Sequence, residues 1–163
     1  KVQEAVEKWT DIKKRNSKIK LHMIGKLQTN KVKFAVQIFD YVHSVDSKKL
    51  AKKIADEQHK INKKIKIFLQ VNIGQEAQKS GIGKNNLSEL VSYCKEIDLD
   101  LIGLMCIPPV NKNPEKYFKE INELNKSLNF NNLSMGMSSD YLLAIKYLAS
   151  HVRVGSSIFG NRL

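Results

Sequence analysis

The stretch Ile65-Lys66-Ile67-Phe68-Leu69-Gln70-Val71-Asn72 alternates, with Ile65, Ile67, Leu69 and Val71 on one side and Phe68, Gln70 and Asn72 on the other. A period of two in a segment this rich in β-branched residues reads as a strand. Residues 87–97 then carry apolar positions at helical spacing, and 101–107 read as a second strand, stopped by Pro108 and Pro109. Asn113 and Pro114 supply a cap and a first-turn proline for a helix burying Phe118, Ile121 and Leu124. Strand, helix, strand, helix with short links is the signature of βαβ units and a parallel sheet.

The same rhythm extends in both directions. Upstream, Val2, Ala5, Val6, Trp9 and Ile12 share one helical face, so the chain opens inside a helix. The apolar run at 21–25 follows, then a helix through Val32, Phe34, Ala35 and Ile38, then a strand at 41–45. Ser47 caps a helix that turns Leu50, Ala51 and Ile54 inward. Downstream come a strand at 133–137, a helix at 142–148, a strand at 152–154 and a short turn or helix from Ser156. Six units in 163 residues leave about 27 residues each, whereas an eight-unit barrel takes ~250. The expectation is an α/β chain of the TIM-type (β/α)8 barrel class with its first two strands missing, forming one domain over residues 1–163. An open doubly wound sheet is the alternative, although no GxGxxG turn is present.

Composition narrows the function classes. A hydrophobic share of 42%, with 3 Pro and 8 Gly, is that of an ordinary globular domain. No apolar run approaches the ~20 residues that span a bilayer. Cys94 and Cys106 form no CxxC pair, so neither a disulfide framework nor a zinc site is expected, and a cytoplasmic setting is. The net charge of +12 would fit an anionic partner, yet Arg15, Arg153 and Arg162 are the only arginines among 28 basic residues. Arginine is the better reader of phosphates and base edges, so a solvated lysine coat outweighs specific nucleic-acid binding.

Barrel function sits at the C-terminal ends of the strands. The polar residues expected there are His22 and Gly25, His43 and Ser44, Gln70 and Asn72, Met105, 134–138, and 153–157. The last two groups combine glycine, serine hydroxyls and helix-start amides, a chemistry suited to a phosphate. Alternation of Val152, Arg153 and Val154 sends Arg153 inward, to a polar pocket expected to be lined by Ser138 and Gly155. His59 and His151 are read as surface or packing residues, and His22 and His43 as hydrogen-bonded core residues. Cys94 is read as packing, and Cys106 lacks an activating base.

Several motifs occur in order: Val2-Gln3-Glu4-Ala5, His22-Met23-Ile24-Gly25-Lys26-Leu27-Gln28-Thr29-Asn30-Lys31, His43-Ser44-Val45-Asp46-Ser47, Gln70-Val71-Asn72-Ile73, Lys79-Ser80-Gly81, Gly103-Leu104-Met105, Leu133-Ser134-Met135-Gly136-Met137-Ser138, and Val152-Arg153-Val154-Gly155-Ser156-Ser157-Ile158-Phe159-Gly160. Together they resemble the YggS/PROSC family of pyridoxal phosphate homeostasis proteins over essentially the whole chain. The resemblance implies a barrel like the N-terminal domain of alanine racemase, holding pyridoxal phosphate without established turnover and serving vitamin B6 and amino-acid homeostasis. It implies Arg153 at the pyridine nitrogen and Ser138, Gly155 and Ser156 at the phosphate, with Met137 and Ser157 alongside. Asn30, Lys31 and Lys79 fall near the cofactor or the mouth of its site.

The family's Schiff-base lysine and its Gly-Glu-Asn motif are absent from this chain, so no catalytic residue is assigned, and no metal is expected. The implied partners are the cofactor and apo-enzymes that receive it, with neither membrane nor specific nucleic acid, and the chain is expected to be a monomer. The rivals are a fold-type III pyridoxal phosphate racemase or decarboxylase and a basic nucleic-acid-binding module.

Overall fold

The computed structural model describes residues 2–160; Lys1 and residues 161–163, Arg162 among them, lie outside the described residues. Six parallel strands alternate with helices in the order α1 (Val2–Arg15), β1 (His22–Met23), α2 (Val32–Ile38), β2 (Tyr41–Val45), α3 (Lys48–Lys60), β3 (Lys66–Val71), α4 (Lys84–Glu96), β4 (Asp100–Cys106), α5 (Pro114–Ser127), β5 (Asn132–Met137), α6 (Tyr141–Lys146), β6 (His151–Arg153) and α7 (Ser156–Phe159). A 3-10 turn, Thr29–Lys31, precedes α2.

Spatial strand order follows chain order from β1 to β6. A doubly wound sheet reverses its order at a switch point, so the open alternative is excluded and the barrel-type winding stands. The sheet curls strongly: the His22 ring on β1 and the His151 ring on β6, at opposite edges, lie 5.8 Å apart between centroids.

The alternation in β3 divides the sheet into two environments. Ile65, Ile67, Leu69 and Val71 join Leu104, Cys106, Leu133 and Met135 in the main core with the buried faces of the helices. Phe68 and Met105 are equally buried but stand outside that cluster, on the concave face. The capping signals act as expected. Ser47 Oγ accepts from the Leu50 amide at 3.3 Å, Asn113 Oδ1 accepts from the Glu115 amide at 3.0 Å, and Pro114 opens α5.

Some local expectations fail for identifiable reasons. Helix α6 stops at Lys146 because Leu148 takes a φ of 67°, outside helical space, and stays 60% exposed. The apolar stripe of α1 is only partly covered, with Val2 buried and Trp9 and Ile12 exposed. Phe34 is likewise exposed, since α2 buries Val32, Ala35, Val36 and Ile38 instead.

Candidate functional site

Strand register builds the concave face. Gln70 on β3 lies opposite Met105 on β4, Met105 opposite Ser134 on β5, and Ser134 opposite His151 on β6. Neighbouring residues in register share a face, so these side chains line one surface with Phe68 and His43. His43 stacks on Phe68, with centroids 4.4 Å apart and planes 23° apart. His22 stacks on Tyr41 at 4.0 Å and 7°.

Arg153 reaches into this interior, as its alternation requires. Its Nη1 donates to Ser134 Oγ and its Nη2 to the Cys106 carbonyl, both at 2.9 Å. Those partners replace the expected pocket of Ser138 and Gly155. The guanidinium lies deeper than the turn, while Ser138 gathers the backbone beside it. Ser138 Oγ accepts from the Gly155 amide at 3.1 Å and the Ser157 amide at 3.4 Å, and Ser157 Oγ donates to the Ser138 carbonyl at 3.5 Å. The structure thus brings Ser138, Gly155, Ser156 and Ser157 together at one rim, with Arg153 inward of them.

The remaining expected residues divide. Met137 sits opposite Arg153 in register and is 40% exposed, but the Asp140 carboxylate accepts from its amide at 2.7 Å, so only its side chain is free for a ligand. Asn30 does not join the group. It is exposed and lines a surface pocket with Lys49, Lys52, Lys53 and Asp56 outside the sheet, because the 3-10 turn that carries it packs toward α2 and α3. Gly136 is a glycine for packing: its φ is +90°, and a Cβ there would meet Ala144 Cβ at 2.6 Å. Gly155 differs, since a Cβ there would meet nothing within 4 Å.

At the same rim a cavity of about 360 Å³ is lined by residues of the β1 and β3 ends, including Gly25, Lys26, Gln70, Asn72, Lys79 and Ser80. Lys79 pairs with Glu76 at 2.7 Å and donates to the Pro108 carbonyl at 3.4 Å.

Burial sets the electrostatics. It pushes His43 down to about 3, with the Arg153 guanidinium, and His22 and His151 whenever they are protonated, acting the same way. Burial also lowers His22, helped by His151, and lowers His151, helped by Lys66. Burial raises the Cys106 thiol to about 12, which removes it as a nucleophile at neutral pH. Among the described residues no group of three His, Cys, Asp or Glu side chains is arranged to hold a metal ion.

Sequence reading assigned no specific role to Ser134, the residue on which His43 and Arg153 converge, and left His151 as a surface or packing residue. The signal for His151 was present: it lies two residues before Arg153, so one strand alternation sends both to the same face.

A profile of the family described as "Alanine racemase, N-terminal domain" matches residues 1–162. A pyridoxal phosphate homeostasis protein of Aquifex aeolicus is 39% identical over 172 residues, which covers 99% of this chain and 75% of that protein. Among solved structures, PipY of Synechococcus elongatus with PLP bound superposes with a TM-score of 0.89 at 30% identity, covering 98% of this chain and 79% of that one. D-threonine aldolase from Filomicrobium marinum shares the fold alone, with a TM-score of 0.74 at 15% identity. The sequential parallel winding and these matches along nearly the entire chain have one explanation: the protein belongs to the alanine racemase N-terminal domain family, among the pyridoxal phosphate homeostasis proteins.

Proposed function

We propose that the chain binds pyridoxal phosphate at the rim formed by β5, β6 and α7 and serves cofactor homeostasis, delivering the cofactor to apo-enzymes without turning over amino acids. The observation that carries this reading is the turn in which Ser138 draws in the Gly155 and Ser157 amides beside open space, with Arg153 anchored just inside. The residues present fit the group. The Ser156 amide has no partner among the described residues, and serine hydroxyls and a glycine without steric cover suit phosphate oxygens. Arginine donates five N–H groups and accepts none. Two of its nitrogens are committed within the protein, so the remaining N–H groups suit an acceptor such as an unprotonated ring nitrogen.

Pyridoxal phosphate would supply an aldehyde that condenses with amines and a ring that withdraws electrons. The Ser138, Ser156 and Ser157 hydroxyls and the Ser156 amide would hold the phosphate, with Gly155 leaving its approach open, Met137 would offer its side chain nearby, and Arg153 would keep the ring nitrogen unprotonated, which weakens the ring as an electron sink. Asn30 has no part in the site. The same reading takes the protein as a cytoplasmic monomer. Both cysteines are free and buried, as suits a reducing compartment, and among the described residues no helix is long and apolar enough to cross a membrane.

A spectroscopic titration with pyridoxal phosphate, run beside an assay for racemisation and decarboxylation of common amino acids, tests the reading. Saturable uptake that inorganic phosphate competes away, with turnover no faster than a protein-free control, is expected. Absence of uptake, or turnover well above the control, overturns it.

A further inference from the structure

We propose that Ser134, His43 and His22 are positioning residues for Arg153, joined to it by a hydrogen-bond relay that runs in one direction and fixes the tautomer of both histidines. The proposal rests on the reading of Arg153 as the group that faces a bound cofactor ring.

The direction follows from donor and acceptor chemistry. A guanidinium only donates, so Ser134 Oγ is the acceptor in its 2.9 Å contact with Arg153 Nη1. Ser134 is fully buried, and the acceptor within reach of its own hydroxyl hydrogen is His43 Nδ1, at 2.8 Å. His43 is 2% exposed and neutral, so if Nδ1 accepts, Nε2 carries the proton. Nε2–H then donates to His22 Nδ1 at 2.9 Å, which leaves the His22 proton on its own Nε2. The reverse direction would strand the buried Ser134 hydroxyl hydrogen without an acceptor, a costly arrangement.

Packing holds the relay in place. The His43 ring lies on Phe68 and the His22 ring on Tyr41, so neither turns over freely. With Nη1 held through Ser134 and Nη2 held by the Cys106 carbonyl, the guanidinium plane is fixed from two strands at once. That is preorganisation: the arginine donors are aligned before any ligand arrives.

Nitrogen-15 NMR of the labelled chain without cofactor reads the relay directly. The expected result is an unprotonated Nδ1 on both His43 and His22, and slowly rotating, resolved Nη resonances for Arg153. A protonated His43 Nδ1 overturns the proposal. Ser134→Ala and His43→Phe should free the Arg153 guanidinium to rotate, while His43→Asn, whose amide oxygen can take the Ser134 hydroxyl, should restore the slow rotation. If His43→Phe and His43→Asn behave alike, His43 only fills space and the proposal falls. Should His43→Phe fail to fold, Arg153 resonances unchanged in Ser134→Ala overturn it equally.

A pyridoxal phosphate titration is the second arm, with affinity expected to drop about tenfold in Ser134→Ala. The two failures are distinct. A wild-type chain with the expected tautomers and no cofactor uptake upholds the relay and overturns the functional reading, whereas wrong tautomers overturn the relay whatever the cofactor does.

Discussion

Arg153 carries its charge to a largely buried place, where an unpaired guanidinium would be costly, and the surroundings answer with a serine hydroxyl and a peptide carbonyl. Neither partner is a carboxylate, so the charge is hydrogen-bonded without being neutralised, which suits a group that must still attract an anionic or electron-rich ligand. Gly155 provides the complementary test at the rim. A Cβ there would enter empty space, so packing does not require glycine. Gly155→Val is therefore expected to leave the thermal unfolding midpoint within a few degrees of the parent while weakening pyridoxal phosphate retention at least tenfold, by filling the approach to the phosphate. Equal retention by the parent and the variant, measured by equilibrium dialysis, would remove Gly155 from the site.

Between elements, one buried amide ties α5 to the sheet. Asn125 Oδ1 accepts from the Leu104 amide of β4 at 3.1 Å, and its Nδ2 donates to the Phe130 carbonyl at 2.9 Å, beside the start of β5. The tie holds β4 where Gly103 passes so close to β5 that a Cβ would lie 1.8 Å from the Asn132 carbonyl oxygen. Asn125→Ala leaves a buried N–H and a C=O without partners and should destabilise the fold by about 2–4 kcal/mol, read as a lower urea midpoint at unchanged slope. A loss below half a kcal/mol would show that solvent or a neighbour replaces the amide. Element identity was largely legible because Ser47, Asn113 and Pro114 are local signals acting within one turn. The end of α6 was not, because the left-handed turn at Leu148 has neither glycine nor asparagine to announce it.

For the molecule as a whole, the curl of the sheet packs three histidines against one another. His43 faces His22 from β1, Tyr41 on its own strand, and His151 and Arg153 from β6; Asp40 acts on His22 and Lys66 on His151. All three imidazoles are depressed in the folded state, so the unfolded chain binds protons more readily. Their contribution to stability is present above the unfolded value near 6.5 and is lost as pH falls toward the folded value, about 3 for His43. From His43 alone, stability should drop by about 2 kcal/mol between pH 7 and pH 5. The drop should persist in high salt, which screens self-repulsion of the +12 net charge. Urea titrations at several pH values check this, and a flat profile from pH 7 to 5 would mean that the histidines are solvated in the folded state.

Order and type of the elements, the parallel sheet and the inward direction of Arg153 were determined by the sequence itself, since each rests on periodicity or capping within a few residues. So was the grouping of Ser138 with 155–157, because two strand ends with the same small polar chemistry lie on adjacent strands. Only the tertiary structure decided which partners Arg153 takes, that Met137 has its amide occupied by Asp140, and that Asn30 faces the lysines of α3 instead of the rim. These contacts join residues as far apart as His43 and Ser134, 91 positions along the chain. Their geometry depends on strand register and sheet curl, which arise from the packing of all six strands together and leave no mark in any local stretch of sequence.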